Sequence, residues 1–348
     1  MTVRVACIGA GYFSQFHYGS WARMARVTLV GSCNRDFEKA QATGLPAYSD
    51  LDVMLAETTP DLLDIILPPV AHAATIKTAL AAGIKTMICQ KPFCNDLAEA
   101  ESITALAEAA GARIIVHENF RFQPWYRAIK AAIDDGAVGT VQQVTFRLRP
   151  GDGQGPRAYL DRQPYFQEME KLLIHETGVH YIDTFRYLLG DPTAVYADLR
   201  KMNPVIAGED AGYVLFDHPN RARALLDGNR HLDHAAQNLR CTMGEGLIEG
   251  TEGALTLTGD GAVHLRKHST MDLTTVLAAQ EWVGFGGDCV HHLQSHVICG
   301  ILDGTKFENE ARDYLTVIRI EEAIYASADK EQKLRVLTDG RPCGEINF

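Results

Sequence analysis

Through residue 120 the chain alternates short aliphatic runs with stretches of helical periodicity, and few folds accept that rhythm. The strand-like runs are VRVACIG (3–9), VTLVGSC (27–33), LLDIILP (62–68), TMICQ (86–90) and RIIVHE (113–118). Between them lie amphipathic stretches such as HAATIKTALAAG (72–83) and DLAEAESITALAEAAG (96–111), each closing on a glycine suited to a left-handed helix cap. Unbroken apolar runs belong to strands buried on both faces, and strands separated by helices pair in parallel. The expectation is an α/β domain with a parallel sheet over residues 1–122.

From Pro124 the rhythm changes. A helix over 125–136 leads to a strand around Val141–Leu148, a Gly-rich polar loop RPGDGQGPR (149–157) and a long helix near 169–189. Strand-like runs with turns between them follow: AVYADLRKM, AGYVLFDH, RARALLDGN, GLIEGTEGALTLTG and AVHLRKH. Two helices, near 287–302 and 309–328, finish the chain. This pattern predicts a second α/β domain over 123–348 with an open, mostly antiparallel sheet. The length of 348 residues accommodates two cores at about 100–200 residues per domain.

Charge and cysteine usage exclude several partners. A net charge of −11 with no Lys/Arg run argues against nucleic acid and against an anionic membrane surface. No stretch approaches the ~20 apolar residues of a spanning helix, and MTVRVACIGAGYF enters a strand directly, so a cytoplasmic protein is expected. Eight scattered cysteines without a CxxC pair read as free thiols in a reducing compartment.

Three motifs carry chemistry. In CIGAGYFSQFH, Gly9 and Gly11 follow the first strand and a helix begins near Ser14, which stands where a third glycine is usual. Such a turn sets backbone N–H groups and a helix N-terminus against a pyrophosphate, although a tight turn that merely needs small residues has the same pattern. At the end of the second strand, SCNRD offers Asn34 to a ribose hydroxyl and Arg35 to adenine or a 2′-phosphate, favouring NAD while leaving NADP open. In QKP, Lys91 ends a strand at the sheet edge where ligands bind, and Pro92 bars the ladder from continuing. In LLIHETGVHYIDTFRYLLG, Glu176, His180 and Asp183 share one face at helical spacing, an arrangement suited to a general base or to a solvated polar face. His175 and His180 are five apart and point to different faces, which excludes a zincin helix, and no metal is expected.

In order and separation, GAGYF, LPPVAH (67–72), QKP, ENFRFQP (118–124) and GVHYID resemble the motifs of the Gfo/Idh/MocA family of nicotinamide-dependent sugar and polyol oxidoreductases. The resemblance implies a Rossmann domain followed by an α/β domain, assembled as a homodimer or homotetramer. It implies that Lys91 positions the reacting hydroxyl, that His180 accepts its proton, and that Glu176 stands for the family's catalytic aspartate with a longer reach. Asp183 resembles a substrate-hydroxyl ligand. Tyr12 and Phe13 would lie over the pyrophosphate, and Pro68, Pro69 and Asn119 would line the nicotinamide; Gln90 is a further cofactor-side candidate, and His72 is either another or no more than a helix-start residue. Gln90 replaces the family's glutamate and removes an anion next to Lys91.

For the small-molecule substrate, Tyr159 and Gln163 join Asp183 as candidate partners of a neutral sugar, whereas Arg121, Arg157 and Arg162 would receive a carboxylate or phosphate. Arg121 is the arginine of ENFRFQP and is also a substrate-binding candidate. The segments GAGYFSQFHYGSWARM, QKPF and HETGVHYIDTFRYLLG resemble a branch of the family that oxidises a branched aldose to its lactone with NAD. A myo-inositol or sugar-acid dehydrogenase, and a catalytically silent dinucleotide sensor, share the same motifs.

Overall fold

The computed structural model describes residues 2–336. They fall into two compact units, one of residues up to Asn119 together with Val290–Ile318, the other of Phe120–Cys289 and the residues from Arg319 on. The segment Val290–Ile318, which the sequence reading places in the second domain, thus belongs to the first unit.

The first unit is built on six strands: β1 (Val3–Ile8), β2 (Val27–Cys33), β3 (Ala47–Tyr48), β4 (Leu62–Ile65), β5 (Thr86–Gln90) and β6 (Arg113–His117). All pair in parallel in the order β3-β2-β1-β4-β5-β6. Every residue of β4 is buried, as a central parallel strand requires. Only the two-residue β3 escapes the sequence pattern, being too short for any periodicity. The Asp96 side chain accepts from Glu99 N at 2.8 Å and starts the helix Leu97–Ala109.

The order reverses between β1 and β4, so the carboxyl ends of these two strands form the switch point of the sheet. There the chain leaves β1 through Gly9 at φ +109°, and the amide of Ile66 donates to the Ile8 carbonyl at 2.8 Å. A Cβ on residue 9 would stand 2.1 Å from the Ile66 oxygen, so only glycine fits.

The second unit carries nine strands: β7 (Val141–Leu148), β8 (Ala194–Arg200), β9 (Ala211–Asp217), β10 (Arg223–Asn229), β11 (Gly244–Gly250), β12 (Gly253–Leu257), β13 (Val263–Lys267), β14 (Leu273–Leu277) and β15 (Leu334–Arg335). Their order is β14-β13-β12-β11-β7-β10-β9-β8-β15, antiparallel throughout except for the parallel pair β7/β10. Alternate residues of β9, β10 and β11 are buried, and the helix Val179–Leu189 is inserted on that side. Its Tyr181 and Phe185 rings meet Phe146 and Phe216 of the sheet at 4.4 and 5.5 Å. The exposed edge strand β14 and the short β15 were not legible, because neither shows a buried face in its pattern.

The long helix expected from 169 does not form as one piece. Pro164–Gln167 makes a separate 3₁₀ turn, Leu173–Gly178 winds as a π-helical turn, and regular α-helix starts only at Val179. Tertiary partners hold its start: the Glu209 carboxylate accepts from Leu172 N at 3.2 Å and Ile174 N at 3.0 Å, and the Glu209 carbonyl accepts from Leu173 N at 2.9 Å.

Among the described residues no helix is long and apolar enough to cross a membrane, and the seven described cysteines are free thiols. Cys343 lies outside the described residues.

We predict that Gly9→Ala lowers the unfolding free energy by about 2–4 kcal/mol. Denaturant unfolding of the two proteins measures this, and an unchanged midpoint would show that the turn relaxes around the new methyl.

Candidate active site

In the first unit the glycine turn is held from below. Asn34, at the end of β2, accepts from Ala10 N at 3.2 Å through Oδ1 and donates to the Asp36 carbonyl at 3.0 Å through Nδ2. Its amide therefore braces the loop, a structural task beside the ribose contact expected of it. Ser14 Oγ donates to the Gly11 carbonyl at 2.6 Å, so the residue in place of the third glycine closes the turn with its own hydroxyl. Gly11 differs from Gly9 in that a Cβ there would meet nothing within 4 Å. Open space over Gly11, in front of the helix Ser14–Trp21, fits the close backbone approach of a pyrophosphate. Tyr12 is exposed at this turn, and Phe13 packs on Phe16 at 5.2 Å and His17 at 5.8 Å. Arg35 is exposed beyond β2, Pro68 and Pro69 open a short turn beyond β4, and Asn119 is buried beyond β6.

Lys91, partly exposed, follows β5 directly. The preceding Gln90 is tied into a buried network that sequence reasoning missed. Its Nε2 donates to His17 Nε2 at 2.6 Å, which leaves the His17 proton on Nδ1, facing Asp64 Oδ2 at 2.8 Å. The same Asp64 oxygen accepts from Trp21 Nε1 at 2.7 Å and Gln294 Nε2 at 3.3 Å. Gln90 Oε1 in turn accepts from Lys91 N at 3.3 Å. An amide suits this place, since its N–H donates to the imidazole nitrogen that does not face the carboxylate. His17 sits three residues after Ser14, so its spacing was visible, but its partners come from other strands.

His72 is not at a cofactor surface. It is fully buried, with Nε2 donating to the Leu67 carbonyl at 2.8 Å and Nδ1 accepting from Cys94 N at 3.3 Å. Burial pushes its imidazole down to about 4, and the side chain stitches the segment after β4 to the segment after β5.

In the second unit His180 lies on the α-helical segment Val179–Leu189. Its ring stacks on Phe120 with centroids 3.9 Å apart and planes 3° from parallel. Phe120, the residue after Asn119 in ENFRFQP, was not singled out; it fixes the plane of the candidate base. Glu176 sits in the π turn, where its carboxylate accepts from Thr177 Oγ1 at 2.7 Å and stands 4.0 Å from Arg230 Nη1. The regular 3.6-residue spacing that grouped it with His180 and Asp183 does not run through this turn.

Asp183 and Arg121 are engaged with each other. Arg121 donates to the two carboxylate oxygens at 2.7 and 2.5 Å, and Asp183 is fully buried, so the pair is closed within the chain. Tyr159 is likewise buried, its hydroxyl accepting from Arg230 Nε at 2.6 Å. Gln163 accepts from Arg162 at 3.1 Å and donates to the Tyr165 hydroxyl at 3.1 Å. Arg157 and Arg162 pair with Asp161 and Asp152 at 2.7 and 3.0 Å. Among the described residues no cluster of three or more His, Cys, Asp or Glu side chains could hold a metal ion.

A Rossmann sheet with an open glycine turn at its switch point defines a dinucleotide-binding protein, and the family match makes it an NAD-binding oxidoreductase. The chain belongs to the Gfo/Idh/MocA family: residues 3–118 match the model of the oxidoreductase family with NAD-binding Rossmann fold, and residues 126–256 match the family's C-terminal domain. A D-apiose dehydrogenase of Paraburkholderia graminis is 31% identical over 93% of this chain and 87% of its own. A second D-apiose dehydrogenase, of Rhizobium rhizogenes, is 27% identical over 93% and 94%. An oxidoreductase from Agrobacterium radiobacter, solved in complex with NAD+, L-tartaric acid and magnesium, superposes with a TM-score of 0.86 at 26% identity, covering 96% of this chain and 98% of that one.

The burial of His72 has a pH consequence. The unfolded chain takes up this proton near pH 6.5 and the folded chain only near 4, so the stabilisation is complete above about 6.5 and is lost as the pH falls towards 4. His218, also pushed down to about 4 by burial, acts in the same sense. We predict a loss of roughly 3 kcal/mol attributable to His72 over this window. Denaturant midpoints at neutral and acidic pH should converge in His72→Gln, which keeps a donor and an acceptor; an equally steep loss in the variant would contradict this.

Proposed function

We propose that the protein oxidises D-apiose to its lactone with NAD, in the catabolism of this branched sugar. The observation that carries the reading is similarity to two D-apiose dehydrogenases along nearly the whole chain. Bound NAD supplies the hydride acceptor. His180 takes the proton from the hydroxyl under oxidation, and its stacking on Phe120 keeps the ring in one plane for that transfer. Lys91 donates a hydrogen bond to the developing alkoxide, and Glu176 supports His180 electrostatically. Asn34 and Arg35 take the adenosine end of NAD, Tyr12 and Phe13 its pyrophosphate, and Pro68, Pro69 and Asn119 its nicotinamide.

A carboxylate-bearing substrate is the second reading, because the Agrobacterium radiobacter relative was solved with L-tartaric acid. Against it, the three arginines available to receive a carboxylate already meet carboxylates of their own chain. A neutral sugar needs no unmatched cation. In this reading the enzyme works in the cytoplasm as a homodimer or homotetramer.

Three measurements test the proposal. Reduced-nicotinamide absorbance with aldoses, inositols and aldonic acids should rise with apiose and NAD, and turnover confined to an acid or an inositol would move the assignment to that class. His180→Ala should lower kcat by about 10²–10⁴-fold with NAD affinity retained; undiminished turnover would remove His180 from the acid–base role. Gly11→Ala should keep wild-type stability, since the methyl meets no protein atom, yet weaken NAD by about tenfold or more, the cost of ~1.4 kcal/mol. Unchanged NAD titration would place the pyrophosphate elsewhere.

A further inference from the structure

Arg230, just beyond β10, keeps only 2% of its side chain exposed and stands at the meeting point of three segments far apart in sequence. Towards the Gly-rich loop, its Nε donates to the Tyr159 hydroxyl at 2.6 Å and to Asp152 Oδ1 at 3.2 Å, and its Nη2 donates to Asp152 Oδ2 at 3.0 Å. Its carbonyl accepts from Gly153 N at 3.0 Å. The loop lies so close that a Cβ on Gly153 would come within 2.9 Å of Arg230 Cβ. Towards the π turn, its Nη1 donates to Thr177 Oγ1 at 2.7 Å. That hydroxyl has one proton, and it points to Glu176 Oε2 at 2.7 Å.

The result is a directed chain from cation to hydroxyl to carboxylate. Glu176 keeps 20% of its side chain exposed, so the far end of the chain faces outward. Burial opposes the charge on Arg230, but Asp152, the Tyr159 oxygen and Glu176 together outweigh it, and the guanidinium stays charged. A buried cation of this kind holds its partners in one geometry, because leaving any of them unmatched is costly.

Building on the dehydrogenase reading above, we propose that Arg230 is a positioning residue that couples the loop around residues 151–163 to the acid–base machinery: through Thr177 it sets the Glu176 carboxylate, and through Asp152 and Tyr159 it sets the loop. Loop and carboxylate therefore share one anchor. A change that displaces the loop therefore also displaces Glu176. Tyr159, expected to contact the sugar, serves instead as part of this anchor.

Thr177 separates this role from packing, because two substitutions divide its shape from its chemistry. Thr177→Val keeps the shape and removes the hydroxyl; Thr177→Ser keeps the hydroxyl and removes a methyl. The expected result is a fall in kcat of about 10- to 100-fold in Thr177→Val, the worth of a hydrogen bond to a charged group, with KM for NAD unchanged and activity largely retained in Thr177→Ser. The reverse ranking, or equal activities, overturns the catalytic half. Independently of activity, Arg230→Lys keeps the charge and loses the planar fork. It should speed amide hydrogen exchange at residues 151–163 by about tenfold or more, with β1 to β6 unaffected; unchanged loop exchange overturns the anchoring half. Should the unsubstituted protein oxidise no sugar in the panel, the dehydrogenase reading fails and the catalytic half with it, while the exchange measurement still decides the anchor.

Discussion

The carbonyl oxygen of Ile66 leaves no room for a side chain at residue 9. That single close approach lets the turn after β1 fold against the segment leaving β4, at the point where the strand order reverses. Everything proposed for the cofactor follows from it. The turn brings the helix Ser14–Trp21 in with its N-terminus over the sheet edge, and Gly11 is left with open space. The two glycines look alike in sequence but differ in surroundings: one is demanded by the protein's own backbone, the other meets no protein atom.

Within each unit, the candidate polar groups are held by partners from distant segments. Gln90 is locked between His17 and the amide of Lys91, and Glu176 between Thr177 and Arg230. The His180 ring lies stacked on Phe120, which fixes its orientation. In each case the group nearest the proposed chemistry is oriented by a neighbour whose own position is fixed by burial or by an ion pair. Such supports are how a site keeps its geometry without reorganising during reaction. The Arg121–Asp183 pair is largely removed from water and held in the same way.

The strand-like runs and the glycine-capped helices of the first 120 residues are legible in the sequence because period and cap are local properties. β1, β2, β5 and β6 all begin where the aliphatic runs predict, and Gly83 and Gly111 take the left-handed conformation expected of helix caps, at φ +83° and +64°. The helix near residue 169 is the counterexample. Its residues have helical periodicity, but it opens as a π turn whose first amides are taken by the Glu209 carboxylate. No local pattern announces a partner more than thirty residues away.

For the site, residue type and order in GAGYF, QKP and GVHYID were enough to nominate the dinucleotide turn, the lysine and the histidine, since each motif is contiguous. What the sequence could not determine is which polar side chains remain available once the chain has folded. Asp183, Arg121, Tyr159 and His72 have the right chemistry for a ligand, yet all four spend it on their own chain. Burial decides this, because a polar group taken out of water must be satisfied by whatever the fold brings beside it. That neighbour, an arginine just beyond β10 or a carbonyl after β4, is chosen by tertiary structure alone.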